Sequence, residues 1–208
     1  MLKKFLTTLL LLSILPVNVI AENGQTKLDA FLTGLQTLEA DFTQRLLNQY
    51  GEELESSNGV LYLKRPGKFH WSYVEPYSQK LISDSKTLWV YDEDLEQLTI
   101  RDITGLLEDS PAAILGGDMD IDAHYIVAEQ LNEGGERWLE LTPRDTESQY
   151  HGIRLTFADT TLEQMILFDS LGRTTQIVFD NLVRNPDIDE SLFQFAAPEG
   201  IDVIDARE

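Results

Sequence analysis

No cysteine occurs among the 208 residues, basic side chains number 16 against 36 acidic ones, and beyond the first twenty residues no apolar run approaches the length of a membrane span. Each shortage excludes something. Without thiols there is no disulfide scaffold, thiolate nucleophile or cysteine-ligated zinc, and no lipid anchor on a cysteine behind a leader. A net charge of −20 repels phosphate backbones and anionic lipid, which argues against nucleic-acid partners and basic-patch membrane docking. The three histidines, His70, His124 and His151, show no metal-ligand spacing, and the chain has no His-Glu-x-x-His, Gly-x-Ser-x-Gly or glycine-rich phosphate loop. Asp118, Asp120 and Asp122, with Glu129 eleven residues beyond the first, imitate a calcium loop, but Ala123 stands where the sharp turn needs glycine. A solvated acidic loop is expected there. No cofactor, metal site or catalytic group is legible, so the enzyme class is disfavoured.

What is present is patterned. Residues 1–21 carry Lys3 and Lys4, an apolar stretch from Phe5 to Leu15 and an Ala21 end, the three-part form of a cleaved secretory signal peptide. Its removal takes away two lysines and makes the balance more acidic still. Residues 22–208 then read as a single domain, with no linker or repeat dividing them. Leu28, Phe31, Leu32 and Leu35 recur at helical spacing, with Asp29 and Gln36 turned away. From Leu38 the period becomes two: Leu38, Ala40 and Phe42 alternate with polar residues. Ten further alternating runs follow, from Gly59 to Phe179, joined by turns such as Arg65-Pro66-Gly67 and Asp169-Ser170-Leu171-Gly172. A meander of that many strands must curl, split or close. One interruption, Ser110-Pro111 followed by Ala112, Ala113, Ile114, Leu115 and Gly116-Gly117, has the N-cap, first-turn proline and glycine stop of a short helix. It is too short to be stable alone and must lie on the sheet. The fold class is mainly β (α+β), a strongly bent antiparallel sheet with short helices over its concave side.

Phe69, Trp71 and Tyr73 share one face of a strand. Periodicity alone leaves two readings open, ordinary core or the wall of a binding cavity. Arg65 precedes a proline and is held extended at the strand end; a guanidinium there is either a surface group or a donor to the orphan carbonyls of the short helix.

These residues resemble the outer-membrane lipoprotein carrier family, LolA. The resemblance is carried by Ala40-Asp41-Phe42-Thr43-Gln44, Arg65-Pro66-Gly67-Lys68-Phe69-His70-Trp71 with Pro76, Asp84 to Tyr91, the Ser110-Pro111 helix, and Phe193-Gln194-Phe195 leading to Pro198 to Val203. It implies an unclosed, strongly curved antiparallel β-barrel of about 11 strands lidded by short α-helices, in a periplasmic protein without catalysis whose apolar cavity holds the acyl chains of lipoproteins, received from the inner-membrane complex LolCDE and passed to the outer-membrane receptor LolB, with the chain acting as a monomer. By that likeness Arg65 matches the arginine that bonds the lid, Phe69 an aromatic position important for function, and Ile114 and Leu115 the lid helix. Phe42, Trp71, Tyr73 and Trp89 join the expected acyl-chain cavity, while Ala112 and Ala113 are smaller than the likeness would suggest. Three other readings stand beside this one. They are the receptor LolB, which needs a lipobox cysteine; a regulatory or lipid-sensing periplasmic binder, which needs a further domain; and a lipid-processing enzyme, which needs a nucleophile and base.

The acid excess exceeds what a soluble carrier requires and suits a saline surrounding that screens self-repulsion. Raising sodium chloride from about 0.05 M to about 0.5 M shortens the screening length severalfold, and the thermal unfolding midpoint is expected to rise; a flat or falling midpoint contradicts it.

Overall fold

The computed structural model describes residues 24–103, 111–117 and 120–207. The expected leader, the expected N-cap Ser110 and Asp118 of the acidic loop lie outside them. The first element, α1 (Gly24–Leu32), buries Leu28 and Phe31. Its sequence period runs on to Leu35, but the helix stops three residues earlier because Gly34 takes φ +68°, the left-handed conformation that glycine adopts without steric cost. Leu35 is buried all the same. The carbonyls left open at this helix end are taken up by the sheet: Arg184 Nη2 donates to Thr33 O at 3.0 Å and Asn185 Nδ2 to Gly34 O at 3.0 Å.

A first meander comprises β1 (Thr37–Leu47), β2 (Glu53–Lys64), β3 (Lys68–Glu75), β4 (Gln79–Asp84), β5 (Thr87–Asp92) and β6 (Gln97–Asp102). A second comprises β7 (Tyr125–Leu131), β8 (Arg137–Pro143), β9 (Tyr150–Ala158), β10 (Thr161–Asp169) and β11 (Thr174–Arg184). Antiparallel pairing of β1 with β11, Phe42 opposite Phe179, joins them into one sheet. All eleven alternating runs are strands. The sheet also has a twelfth, β12 (Asp202–Asp205), which lies parallel to β6; the sheet is therefore not wholly antiparallel.

The inward alternation is Leu38, Ala40 and Phe42 on β1, Leu61 and Leu63 on β2, and Phe69 and Trp71 on β3, all buried in one core with Leu139, Leu141, Ile153, Leu155, Met165 and Leu167 of the second meander. That shared core measures the curl. In a flat sheet β5 and β9, seven strand steps apart in the order β12-β6-β5-β4-β3-β2-β1-β11-β10-β9-β8-β7, would stand about 34 Å apart at about 4.8 Å per step. Yet Leu88 of β5 and Tyr150 of β9 line the same cavity. The barrel does not close: β7 and the β12–β6 pair are its two ends. The chain linking β6 to β7 carries α2 (Pro111–Gly116) and α3 (Ile121–His124). Close packing inside the curl leaves no room for a Cβ at Gly59, which would fall 1.9 Å from Ser72 O and 2.9 Å from the Phe42 ring.

The convex face of the first meander is covered by the C-terminal segment. Asp189 caps a 3₁₀ turn, Glu190–Phe193, by accepting from Ser191 N, and the turn packs on β3 and β4. Phe193 is buried there, the Phe195 ring meets Tyr91 at 5.2 Å, and Glu190 pairs with Lys64 and Lys68. His70, on the outer face of β3, donates from Nδ1 to Leu192 O at 2.9 Å. Burial lowers its pKa from the ordinary 6.5, against the opposing pull of the Leu192 carbonyl. A histidine held neutral in the fold contributes its full share of stability above pH 6.5, because both states are then uncharged. As pH falls the unfolded chain takes the proton first, so stability is lost down to the folded pKa. The urea midpoint of the wild type is expected to fall between pH 6.5 and about pH 5, and to fall less in His70→Gln; equal slopes contradict this.

Candidate functional site

Inside the curl, Phe69, Trp71 and Tyr73 stand along β3 as the alternation requires. Phe42 backs them from β1, its ring 5.0 Å from that of Trp71 and 5.2 Å, edge-on, from that of Tyr73. Such tilted contacts suit the ring quadrupoles and fix each plane. These four form one aromatic wall.

The helix α2 lies against β2 and β3. Ile114 and Leu115 are fully buried, whereas Pro111 and Ala112, one turn earlier, face the empty space. Two hydrogen-bond sets hold the C-terminal end of α2 to the β2–β3 turn. Gly67 N donates to Gly116 O at 2.8 Å. Arg65 Nη2 donates to Gly117 O at 2.5 Å, and its Nη1 to Leu32 O of α1 at 3.3 Å. One half-buried guanidinium thus ties two helix ends to the sheet. Cations belong at helix C-termini, where carbonyls lack intrahelical donors and the dipole is negative.

Between wall, helix and the far side of the curl is a cavity of about 290 Å³, roughly ten water volumes at ~30 Å³ each. Its apolar lining includes Phe69, Leu81, Leu88, Leu167 and Ile177; its polar groups are those of Gln44, Tyr73, Tyr150 and Thr175. The last four sit toward the end of the barrel formed by the β1–β2, β3–β4 and β10–β11 turns. Two further hollows adjoin there, sharing Gln44 and Tyr73, or Gln44, Tyr150 and Thr175. Around the same end Tyr50, Leu54, Val74, Tyr77, Leu95 and Leu171 are exposed. The Arg65 turn is at the opposite end.

Trp89 requires a correction. Leu88 and Val90 point into the core, so Trp89 between them points out, paired with Ile82 and Ile100 on the convex face. Strand parity, not residue type, decides its side. Of the other expected residues, Phe69, Trp71 and Tyr73 line the cavity, Phe42 stands behind them, and Arg65, Ile114 and Leu115 sit at the helix. Gln44 was overlooked although it continues the inward series Leu38, Ala40, Phe42; a polar residue at an inward position was the available signal. Leu167, Ile177 and Tyr150 come from the second meander, and only the curl brings them to the wall. In the acidic loop, Asp120 caps α3 by accepting from Ala123 N. Among the described residues no three carboxylate or imidazole groups cluster as a metal set, and no helix is long and apolar enough to cross a membrane.

A curled, unclosed sheet around a helix-covered apolar cavity defines an open-barrel protein with an internal binding space. The model of the family "Outer membrane lipoprotein carrier protein LolA" matches residues 33–196. The chain is 39% identical over 181 residues to the outer-membrane lipoprotein carrier protein of Cupriavidus pinatubonensis, covering 86% of this chain and 85% of that one. The like-named protein of Methylococcus capsulatus is 37% identical over 183 residues, 88% of each, and that of Nitrosomonas europaea 37% over 192, covering 92% and 93%. The chain belongs to the LolA family. Among solved structures, an uncharacterized conserved protein of Thermus thermophilus shares the fold at a TM-score of 0.52 with 14% identity, covering 87% of this chain and 96% of that one. MucB shares it at 0.50 with 13% identity, covering 87% of this chain and 65% of that one.

The seat of α2 depends on Gly116, since a Cβ there would fall 2.8 Å from Leu63 Cδ1 and 3.1 Å from its Cγ, and Leu63 is fully buried. Gly116→Ala is expected to push the helix end outward and lower stability by about 1–3 kcal/mol, the usual cost of overpacking. Denaturant unfolding measures it; an unchanged midpoint contradicts the tight seat.

Proposed function

We propose that this chain is a periplasmic chaperone that carries acylated lipoproteins from the inner-membrane LolCDE complex to the outer-membrane receptor LolB, as a monomer and without catalysis. Residues 1–21 would direct its export and be removed, leaving 22–208 as one carrier domain. The observation that supports this reading is the cavity itself: an apolar space, walled by Phe69, Trp71 and Tyr73, beside a helix whose end one arginine fastens. Family membership supports it, because the relatives bear the name of lipoprotein carriers.

The energetics favour a carrier of this kind. Each buried methylene is worth about 0.8 kcal/mol, so a long acyl chain resists water by roughly 10 kcal/mol or more. Free crossing of an aqueous compartment is closed to such cargo, and an internal apolar space opens it. The unloaded cavity is small, and loading must move α2 aside. That breaks the Arg65 bonds to Gly117 O and Leu32 O, which at about 1.5–3 kcal/mol for each charged hydrogen bond is offset by burying a handful of methylenes. Acyl chains take the space that α2 leaves over β2 and β3. On discharge the bonds re-form. Arg65 therefore weakens retention by the amount the closed lid gains, and transfer to a receptor with no such latch runs downhill. No nucleotide is needed for the step. The exposed apolar side chains at the polar-lined end, Tyr77 and Leu171 among them, would offer a donor or receptor an apolar contact.

The test is transfer. Purified chain loaded with a lipoprotein and mixed with LolB is expected to release it, whereas Arg65→Leu is expected to load and then transfer at least about tenfold more slowly, since one lost charged hydrogen bond is worth that much. Equal transfer by the two proteins contradicts the latch, and failure of the wild type to load contradicts the carrier.

A further inference from the structure

The inward faces of the strands change character from one end of the barrel to the other. Along β2 the inward series runs Leu63, Leu61, Gly59, Ser57 and Glu55, and along β5 it runs Leu88, Val90 and Asp92. Both series are apolar beside the core and end in a carboxylate. Glu55 lines each of the two hollows that adjoin the cavity at this end, and Asp92 lines one of them. In that hollow Glu55 stands with Tyr73 and Gln44, which also line the cavity and are joined by a hydrogen bond from Tyr73 Oη to Gln44 Oε1 at 3.2 Å. Burial pushes the Tyr73 pKa up to about 12, and the negative charge of Glu55 adds to the rise against the opposing Gln44 bond. The field of this carboxylate therefore reaches a hydroxyl in the cavity wall. The basic groups at the same end are engaged elsewhere, Arg173 with Asp169 and Lys80 with Glu93. Among the described residues no cation pairs with Glu55.

An acyl chain lying in the apolar part of the cavity directs its polar head toward these hollows. Hydrocarbon is common to lipoproteins and to membrane phospholipids, so the apolar wall does not tell them apart. A fixed charge beside the head does. We propose that Glu55 is a specificity-determining residue at the mouth of the cavity, favouring an acyl ligand with a cationic group just beyond its chain and disfavouring one whose head is anionic. This rests on the acyl-carrier reading above and adds the sign of charge that the mouth accepts. Glu55 is exposed, so solvent screens its field and the discrimination is severalfold, not absolute.

Matched lysolipids test the residue. Palmitoyl lysophosphatidylcholine and palmitoyl lysophosphatidylglycerol share chain, ester and phosphate; the first ends in a quaternary ammonium and the second in an uncharged glycerol. Titration calorimetry below their micelle-forming concentrations is expected to show the choline lipid bound at least about tenfold more tightly by the wild type, through Glu55 and the net negative charge of the chain together. Glu55→Gln is expected to lower that ratio about fivefold. Glu133→Gln removes the same charge from the exposed β7–β8 turn at the far end of the barrel and is expected to leave the ratio within about twofold of the wild type. Circular dichroism verifies that both variants fold. Equal binding of the two lipids by the wild type overturns the selection and leaves the carrier standing. A ratio that the two variants lower equally traces the preference to overall charge and overturns it as well. Binding of neither lipid overturns the carrier reading and the role of Glu55 with it.

Discussion

The guanidinium of Arg65 is the point through which the two helices and the sheet communicate. It reaches Leu32 O on α1 and Gly117 O just past α2 from a turn that is itself pinned by Gly67 N to Gly116 O. Neither helix could stand alone: α1 has nine residues and α2 six, below the length at which helices hold in water. Each is held by apolar packing on one face and by donors at its C-terminal end. For α1 those donors come from Arg65, Arg184 and Asn185. For α2 they come from Arg65 and Gly67, and the same set of bonds must break if the helix is to move.

The sheet supplies the complementary constraint. Two meanders joined at β1 and β11 curl far enough to share one core, yet the end strands β12 and β7 do not pair, and α2 lies inside the curl against β2 and β3. An incomplete barrel with a small-faced helix keeps a space. Ala112 matters here: at the position of α2 that meets the cavity, its methyl group leaves volume that a larger side chain would occupy. On the outside, the C-terminal segment covers β3 to β6 and adds β12 at the edge, so that an otherwise open strand edge and the apolar residues Ile82, Tyr91 and Leu98 are shielded.

Much of this is legible in the amino-acid sequence. Alternation located all eleven strands of the two meanders because half-buried strands carry their burial in their period, as Leu61, Leu63, Phe69 and Trp71 illustrate. Pro111 to Gly117 announces a helix through its proline and glycines, and Arg65 stands where a helix end needs donors. The failures have equally physical causes. β12 is exposed at all four residues, so no alternation marks it. Trp89 joins the expected cavity through the family likeness, while its neighbours Leu88 and Val90 take the inward face. Leu35 continued a helical period across Gly34, whose backbone ends the helix. Tyr150, Leu167 and Ile177 face the cavity only because the sheet curls, which is a property of the whole sheet and not of any window of residues.

Movement of α2 on loading is the claim on which the carrier mechanism stands, and backbone amide exchange reads it directly. The Gly67 amide, bonded to Gly116 O at 2.8 Å, reports whether the helix end is seated, and the amides of β1 and β2 report whether the sheet is intact. With palmitoyl lysophosphatidylcholine bound, the expected result is faster exchange at Gly67 and along α2, with β1 and β2 as protected as in the free protein. Bound lipid together with undiminished protection at Gly67 and α2 would contradict a lid that opens to admit an acyl chain.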